Sequence, residues 1–185
     1  MVQTDLAIKE NMFSVPIVKI KCDDWITKKS KLLEFCKNLD SFENIKTDFF
    51  SKEKSQEIKL IELIHNLFSF ELTLFCKVMS FYEVNVGRAW FEESSYGNFH
   101  DPHMHGSVGY SSVCYLTYDK SAHTATKFIS PFVNFHNGDS VTYTPDVTEG
   151  DMIFFPSSIL HYTLPNKTYK ARKILSYNMS VKHTI

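Results

Sequence analysis

Apolar and polar positions alternate from Phe13 to Cys22, with Val15, Ile17, Val18 and Ile20 on the spacing of an opening strand. Asp23 and Asp24 then supply an N-cap signal for a helix over Trp25 to Leu39, whose apolar positions are Ile26, Leu32, Leu33 and Phe35. Asn38 to Phe50 is turn-rich and has no clear period. Lys54 to Met79 is the longest helical stretch. Ile58, Ile61, Leu63, Ile64, Leu67 and Phe68 fall near helical spacing there, and a break into two helices is expected near Ser69. Residues 1–80 therefore read as mostly helical.

The period changes after that. Phe81 to Phe91 reads as a strand, and Tyr110 to Tyr118 is β-rich. Lys127 to Phe135, Ser140 to Thr144, Met152 to Phe155 and Lys173 to Val181 add short strands, punctuated by turns at Asn137-Gly138-Asp139 and Glu149-Gly150-Asp151. Strands at roughly 8–12-residue spacing argue for a β-sandwich or jelly roll. The expected fold is mainly β with N-terminal helices that buttress one sheet. It is expected as one domain, with residues 81–185 as its catalytic core.

Bulk composition narrows the function classes. At 185 residues, with 16 Phe and 9 Tyr, the chain can bury a real core. A net charge of −1 offers no global field for an anionic partner and argues against long nucleic acid. Lys167, Lys170, Arg172 and Lys173 form the only dense basic patch. Cys22, Cys36, Cys76 and Cys114 lie far apart without a C-x-x-C pair, which reads as free thiols. Met1 to Glu10 carries acids and lacks the apolar core of a secretory leader. No stretch approaches the roughly 18 continuous apolar residues of a membrane span. The expectation is a cytoplasmic protein, with exposed aromatics compatible with a homodimer.

The candidate chemistry lies in three histidines and an arginine. Residues i and i+2 of a strand share a face, so His103 and His105 can aim two imidazoles at one point. His161, placed by a Pro156-bounded turn at the start of a strand, would complete one face of a metal's coordination sphere, as in non-haem iron oxygenases. A strand from Arg172 would set Arg172, Ile174 and Ser176 on one face, and an inward arginine needs an anionic partner such as a carboxylate. His100 reads as exposed, Asp101 at best as an orienting acid, and His65, His123, His136 and His183 have no implicating spacing.

Gly97 to Leu116 (GNFHDPHMHGSVGYSSVCYL) resembles a family of 2-oxoglutarate- and Fe(II)-dependent oxygenases common in bacteria and phages. Trp90 upstream and the later run of Glu149-Gly150-Asp151, Phe155-Pro156-Ser157, His161, Arg172 and Asn178 extend the likeness to Trp90–Val181. The resemblance implies a double-stranded β-helix with iron at His103, His105 and His161, and Arg172 on the distal carboxylate of 2-oxoglutarate. Tyr115 is then either a second donor to that carboxylate or an ordinary core tyrosine, and Ser176 faces the same co-substrate. Hydroxylation of a small-molecule or peptidyl substrate by O2, with release of succinate and CO2, would follow.

Two features depart from the pattern. His105 stands where better-known relatives carry a carboxylate, which also resembles three-histidine dioxygenases that use no 2-oxoglutarate. Ser112 stands where the family usually has glycine, so its side chain would alter the pocket wall. A non-catalytic jelly-roll module holding structural zinc is a further alternative. Phe91, Phe99, Tyr110, Phe128 and Phe154 are read as either cavity wall or plain core.

Overall fold

A computed structural model describes residues 13–183, so the reading of Met1 to Glu10 lies outside the described residues. In chain order the elements are β1 (Val18–Lys21), α1 (Trp25–Phe35), β2 (Asp40–Phe42), β3 (Ile45–Thr47), α2 (Lys54–Leu67), α3 (Ser69–Met79) and β4 (Phe81–Ser94). There follow β5 (His100–His103), β6 (Tyr110–Thr117), β7 (Lys127–Val133), β8 (Ser140–Tyr143), β9 (Asp151–Pro156), β10 (His161–Thr163) and β11 (Arg172–His183). Seven strands form one sheet in the order β1-β9-β6-β11-β4-β3-β2, and four form a second in the order β5-β10-β7-β8. Every pairing is antiparallel.

Alternation along the central strands sorts side chains between two cores. On β11, Leu175, Tyr177 and Met179 face the helices, whereas Ile174 turns to the second sheet. Likewise Cys114 and Leu116 of β6, and Met152 and Phe154 of β9, pack beneath the helices. Val113, Tyr115, Ile153 and Phe155 fill the space between the sheets. Strands buried on both faces read as continuous apolar runs, which is why Met152 to Phe155 lacks alternation. The helices close the outer face with Leu32, Leu60, Ile64, Phe68, Leu72 and Phe75. This is the expected jelly roll with its helical buttress.

Buried Glu71 of α3 accepts from Lys28 of α1 at 2.6 Å, and Lys28 also pairs with Asp23, so an ion cluster pins one helix to the other. The long helical run breaks at Phe68 (φ −107°, ψ 21°), whose ring is fully buried at the joint. Gly109 has φ +84°, and a Cβ there would lie 2.5 Å from the Met179 carbonyl oxygen, so no other residue fits where the chain crosses β11.

Two expectations need correction. The turn-rich Asn38–Phe50 stretch contains the β2–β3 hairpin, with Glu43 at φ +47° in its turn. Thr47 pairs with Glu92, so this hairpin extends the large sheet past β4. Three-residue strands are too short to register an alternation. Helix α1 also ends at Phe35 rather than Leu39, with Asn38 at positive φ carrying the chain away. Among the described residues no helix is long and apolar enough to cross a membrane.

Candidate metal centre

Antiparallel register brings the first two imidazoles together. His161 opens β10 directly opposite His103 on β5, and their ring centroids lie 4.4 Å apart. β5 is an edge strand, so the missing N–H of Pro102 costs no ladder bond. His105 lies beyond the end of β5, not within it as strand alternation predicts. Its N–H donates to the Ser157 carbonyl at 2.9 Å, so the β9–β10 turn positions it instead. The His105 ring is 5.2 Å from that of His103 and 4.8 Å from that of His161. Potential ligand atoms of the three residues all lie within 4.8 Å of one another.

Each ring has one nitrogen already engaged. Nδ1 of His103 donates to the Asp101 carbonyl at 2.7 Å, and Nδ1 of His161 to the Ile159 carbonyl at 2.9 Å. Nδ1 of His105 lies 2.9 Å from both Asn178 Oδ1 and Ser111 Oγ. A carbonyl can only accept, so the tautomer carries its proton on Nδ1 and leaves Nε2 with a free lone pair. Metal-binding histidines are oriented in the same way. Asp101 thus acts through its backbone, while its side chain is exposed. Burial and then the neighbouring His103 hold His105 down at about 4, and burial and the other two rings hold His161 down at about 3. His103 is lowered as well, chiefly by burial. All three are neutral at pH 7, the state a metal requires.

Sequence reasoning missed Glu92. It projects from β4 into the site, 5 % exposed, and accepts from Trp90 Nε1 at 2.8 Å and from His100 Nδ1 at 3.3 Å. Burial works against its charge, yet His100 and Trp90 hold the carboxyl down at about 2. His100, expected to be exposed, is half-buried and stacks on His103 at 3.8 Å. Burial opposes its protonation, and the Glu92 carboxylate overcomes that and raises it. An acid two residues after Trp90 inside an apolar strand was the available signal. His123, read as a loop residue, is buried between the Asp119 N–H and the Lys170 carbonyl.

Arg172 enters the inner face as expected, 4 % exposed. Its guanidinium carbon sits 5.5 Å from the Tyr115 ring centroid, and Nη2 makes one long 3.4 Å contact to Thr126 Oγ1. Nε is buried with no hydrogen-bond partner among the described residues. A buried guanidinium with one weak hydrogen bond is a site for an anion. Tyr115 is a core tyrosine whose hydroxyl donates to Thr126 Oγ1 at 3.2 Å and accepts from the Thr126 N–H, so that proton is committed. Ser176 is buried on the inner face and lines a cavity of about 10 Å3 with Thr126, Ile174, Glu92 and the histidines.

Ser112 points the other way. It sits opposite Tyr177 and Phe154, on the helix-facing register of β6, so it does not alter the pocket wall. Phe91, Tyr110 and Phe154 likewise pack in the helix-side core, whereas Phe128 packs near His161 with ring centroids 5.8 Å apart.

Residues 88–178 match the sequence profile of a family described as "Putative 2OG-Fe(II) oxygenase". The chain matches this oxygenase family over that segment, just under half of its length. The matched segment holds all three histidines, Glu92, Arg172 and Asn178, whereas β1–β3 and the helices lie outside it. No curated protein sequence matches the chain. Its fold is similar to that of a 2OG-Fe(II) oxygenase family oxidoreductase from Burkholderia pseudomallei (TM-score 0.64, 11% identity, 89% of this chain and 84% of that one). It is also similar to the viral collagen prolyl hydroxylase of Paramecium Bursaria Chlorella virus-1 in complex with 2OG (0.56, 15%, 91% and 96%). A third likeness is HygX from Streptomyces hygroscopicus, solved with nickel, 2-oxoglutarate and hygromycin B (0.62, 10%, 90% and 83%).

Proposed function

We propose that the protein is an Fe(II)- and 2-oxoglutarate-dependent oxygenase that hydroxylates a peptidyl or small-molecule substrate, releasing succinate and CO2. The observation that carries this reading is the set of three neutral imidazoles, each tied through Nδ1, beside a buried guanidinium whose Nε has no hydrogen-bond partner among the described residues. His103, His105 and His161 would hold the iron, and Arg172 the distal carboxylate of 2-oxoglutarate. When bound, the pair supplies oxidative decarboxylation coupled to insertion of one oxygen atom of O2 into a C–H bond.

The remaining tasks fall to the chain. Asn178, Ser111 and two backbone carbonyls orient the imidazoles. Tyr115 supports Arg172 with its ring and holds Thr126 with its hydroxyl. Val113, Ile174 and Ser176 line the inner wall and exclude bulk water. At about 10 Å3 the inner cavity has room for a single water. Admission of 2-oxoglutarate therefore requires side-chain movement. Glu92, His100, His103 and His105 line both the inner cavity and the outer groove, so movement among these side chains would join the two.

The all-histidine set also fits a second reading, a three-histidine dioxygenase that attacks its substrate without 2-oxoglutarate. Structural zinc fits less well, because it takes four ligands and three histidines converge here. The deciding experiment supplies purified protein with Fe(II), ascorbate and 2-oxoglutarate and measures succinate. Succinate above a His161→Ala control supports the first reading. Oxygen uptake that does not depend on 2-oxoglutarate selects the second.

A further inference from the structure

The groove outside the histidine cluster limits the substrate, an inference that rests on the oxygenase reading above. It has a volume of about 260 Å3 and shares Glu92, His100, His103 and His105 with the inner cavity. Pockets that enclose a whole drug-sized ligand run to roughly 300–1,000 Å3, so this space suits one substituent of a larger substrate. Its walls are a run of rings leading inward. Phe42 meets Phe50 at 4.2 Å, Phe50 meets Phe49 at 4.7 Å, Phe49 meets Trp90 at 4.9 Å, and Trp90 meets His105 at 5.1 Å. The outer lip is unusually apolar for a free surface, with Phe50 64% and Met104 61% exposed.

The charged groups in the wall already have protein partners. The Arg88 guanidinium lies 3.7 Å over the Phe49 ring, donates to the Phe49 carbonyl, and approaches Glu57 at 3.7 Å. That cation occupies a ring face a substrate cation would use, and would repel it. Both Glu92 oxygens accept hydrogen bonds from Trp90 and His100, and the carboxylate would repel an anion. What the groove leaves unclaimed is apolar surface.

We infer that this groove takes an uncharged aromatic or branched aliphatic group of the substrate, held next to the carbon that is oxidised. The test uses the full chain, anaerobically loaded with Fe(II) and 2-oxoglutarate and, in parallel, without either. The probes are N-acetyl-phenylalaninamide, N-acetyl-leucinamide, N-acetyl-lysinamide and N-acetyl-aspartylamide, followed by tryptophan emission and by saturation-transfer NMR. The two neutral probes are expected to bind saturably, and the two charged ones at least about tenfold more weakly.

Phe50→Asp should weaken the phenylalanine probe by a similar factor while iron binding stays unchanged, and Phe50→Leu should restore it. Phe42→Ser, on the same lip, gives an independent second variant. Charged probes binding as tightly as neutral ones, or a Phe50→Asp variant that binds the phenylalanine probe normally, overturns the inference. Selective probe binding without iron or 2-oxoglutarate binding keeps the groove and removes the oxygenase reading. The reverse result removes the groove and keeps the oxygenase.

Discussion

Replacing Arg172 with methionine separates a recognition residue from a structural one, because the two roles predict opposite signs. In the folded chain the guanidinium has a single 3.4 Å hydrogen bond and an unpartnered Nε, so its burial is poorly compensated. An isosteric apolar side chain should leave the unliganded protein as stable as before, or more stable by about 1 kcal/mol. Glu92 keeps its own donors, Trp90 and His100, so the change strands no second charge. Co-substrate binding should respond in the other direction. Loss of a desolvated carboxylate–guanidinium contact costs about 3 kcal/mol, which is roughly a hundredfold in Kd. Arg172→Lys should lie between, since an ammonium keeps the charge but loses the planar fork.

The assay is anaerobic calorimetric titration of 2-oxoglutarate into the Fe(II)-loaded protein, with thermal unfolding of the metal-free variants alongside. The reasoning fails if Arg172→Met lowers the unliganded Tm by as much as it weakens the co-substrate. Unchanged 2-oxoglutarate affinity in that variant would refute the assigned role outright, and lost iron would mean the arginine organises the histidines.

Three other outcomes are expected. Asn178→Ala should weaken iron binding about 10-fold and no more, because Ser111 also faces His105 Nδ1; Ser111→Ala alone should cost about twofold, so a loss of up to about 100-fold in the Ser111→Ala/Asn178→Ala double variant would exceed the product of the two, a non-additivity that metal titration would detect. Metal-free protein should lose stability on acidification from about pH 6.5 to pH 4, because the three ligand histidines have lowered folded pKa values and unfolded ones take up protons near 6.5. That contribution is complete above pH 6.5. His100 is raised, so its contribution changes above pH 6.5 and not in this window; His105 and His161 together give a slope of about 2.7 kcal/mol per pH unit near pH 5 in urea unfolding, and a flat profile would contradict the depressed histidines. Lys28→Met leaves the fully buried Glu71 carboxylate without its cation and should cost about 3–5 kcal/mol by denaturant unfolding, with little change in iron affinity.

Much of this protein was legible before folding, and for identifiable reasons. Helical spacing over Lys54–Met79 and the strand runs at Phe81, Tyr110 and Met152 are local properties, since apolar period reports which side of an element is buried. The break beside Ser69 and the inward turn of Arg172 were visible in the same way. His103, His105 and His161 could be named as one candidate cluster because residue type and order survive without coordinates.

Tertiary structure decided what depends on partners distant in the chain. His105 lies past its strand and is held by Ser157, a residue 52 positions away, so alternation could not place it. Glu92 and His100 became site residues because the β4–β11 and β5–β10 registers set their side chains in one cavity. Ser112 left the pocket for the helix-side core because the pleat directs it there. The β2–β3 hairpin was invisible because three-residue strands gain their stability from the sheet they join. Local pattern specifies which face of an element is buried, whereas the identity of the neighbour across a gap is set only when the whole chain packs.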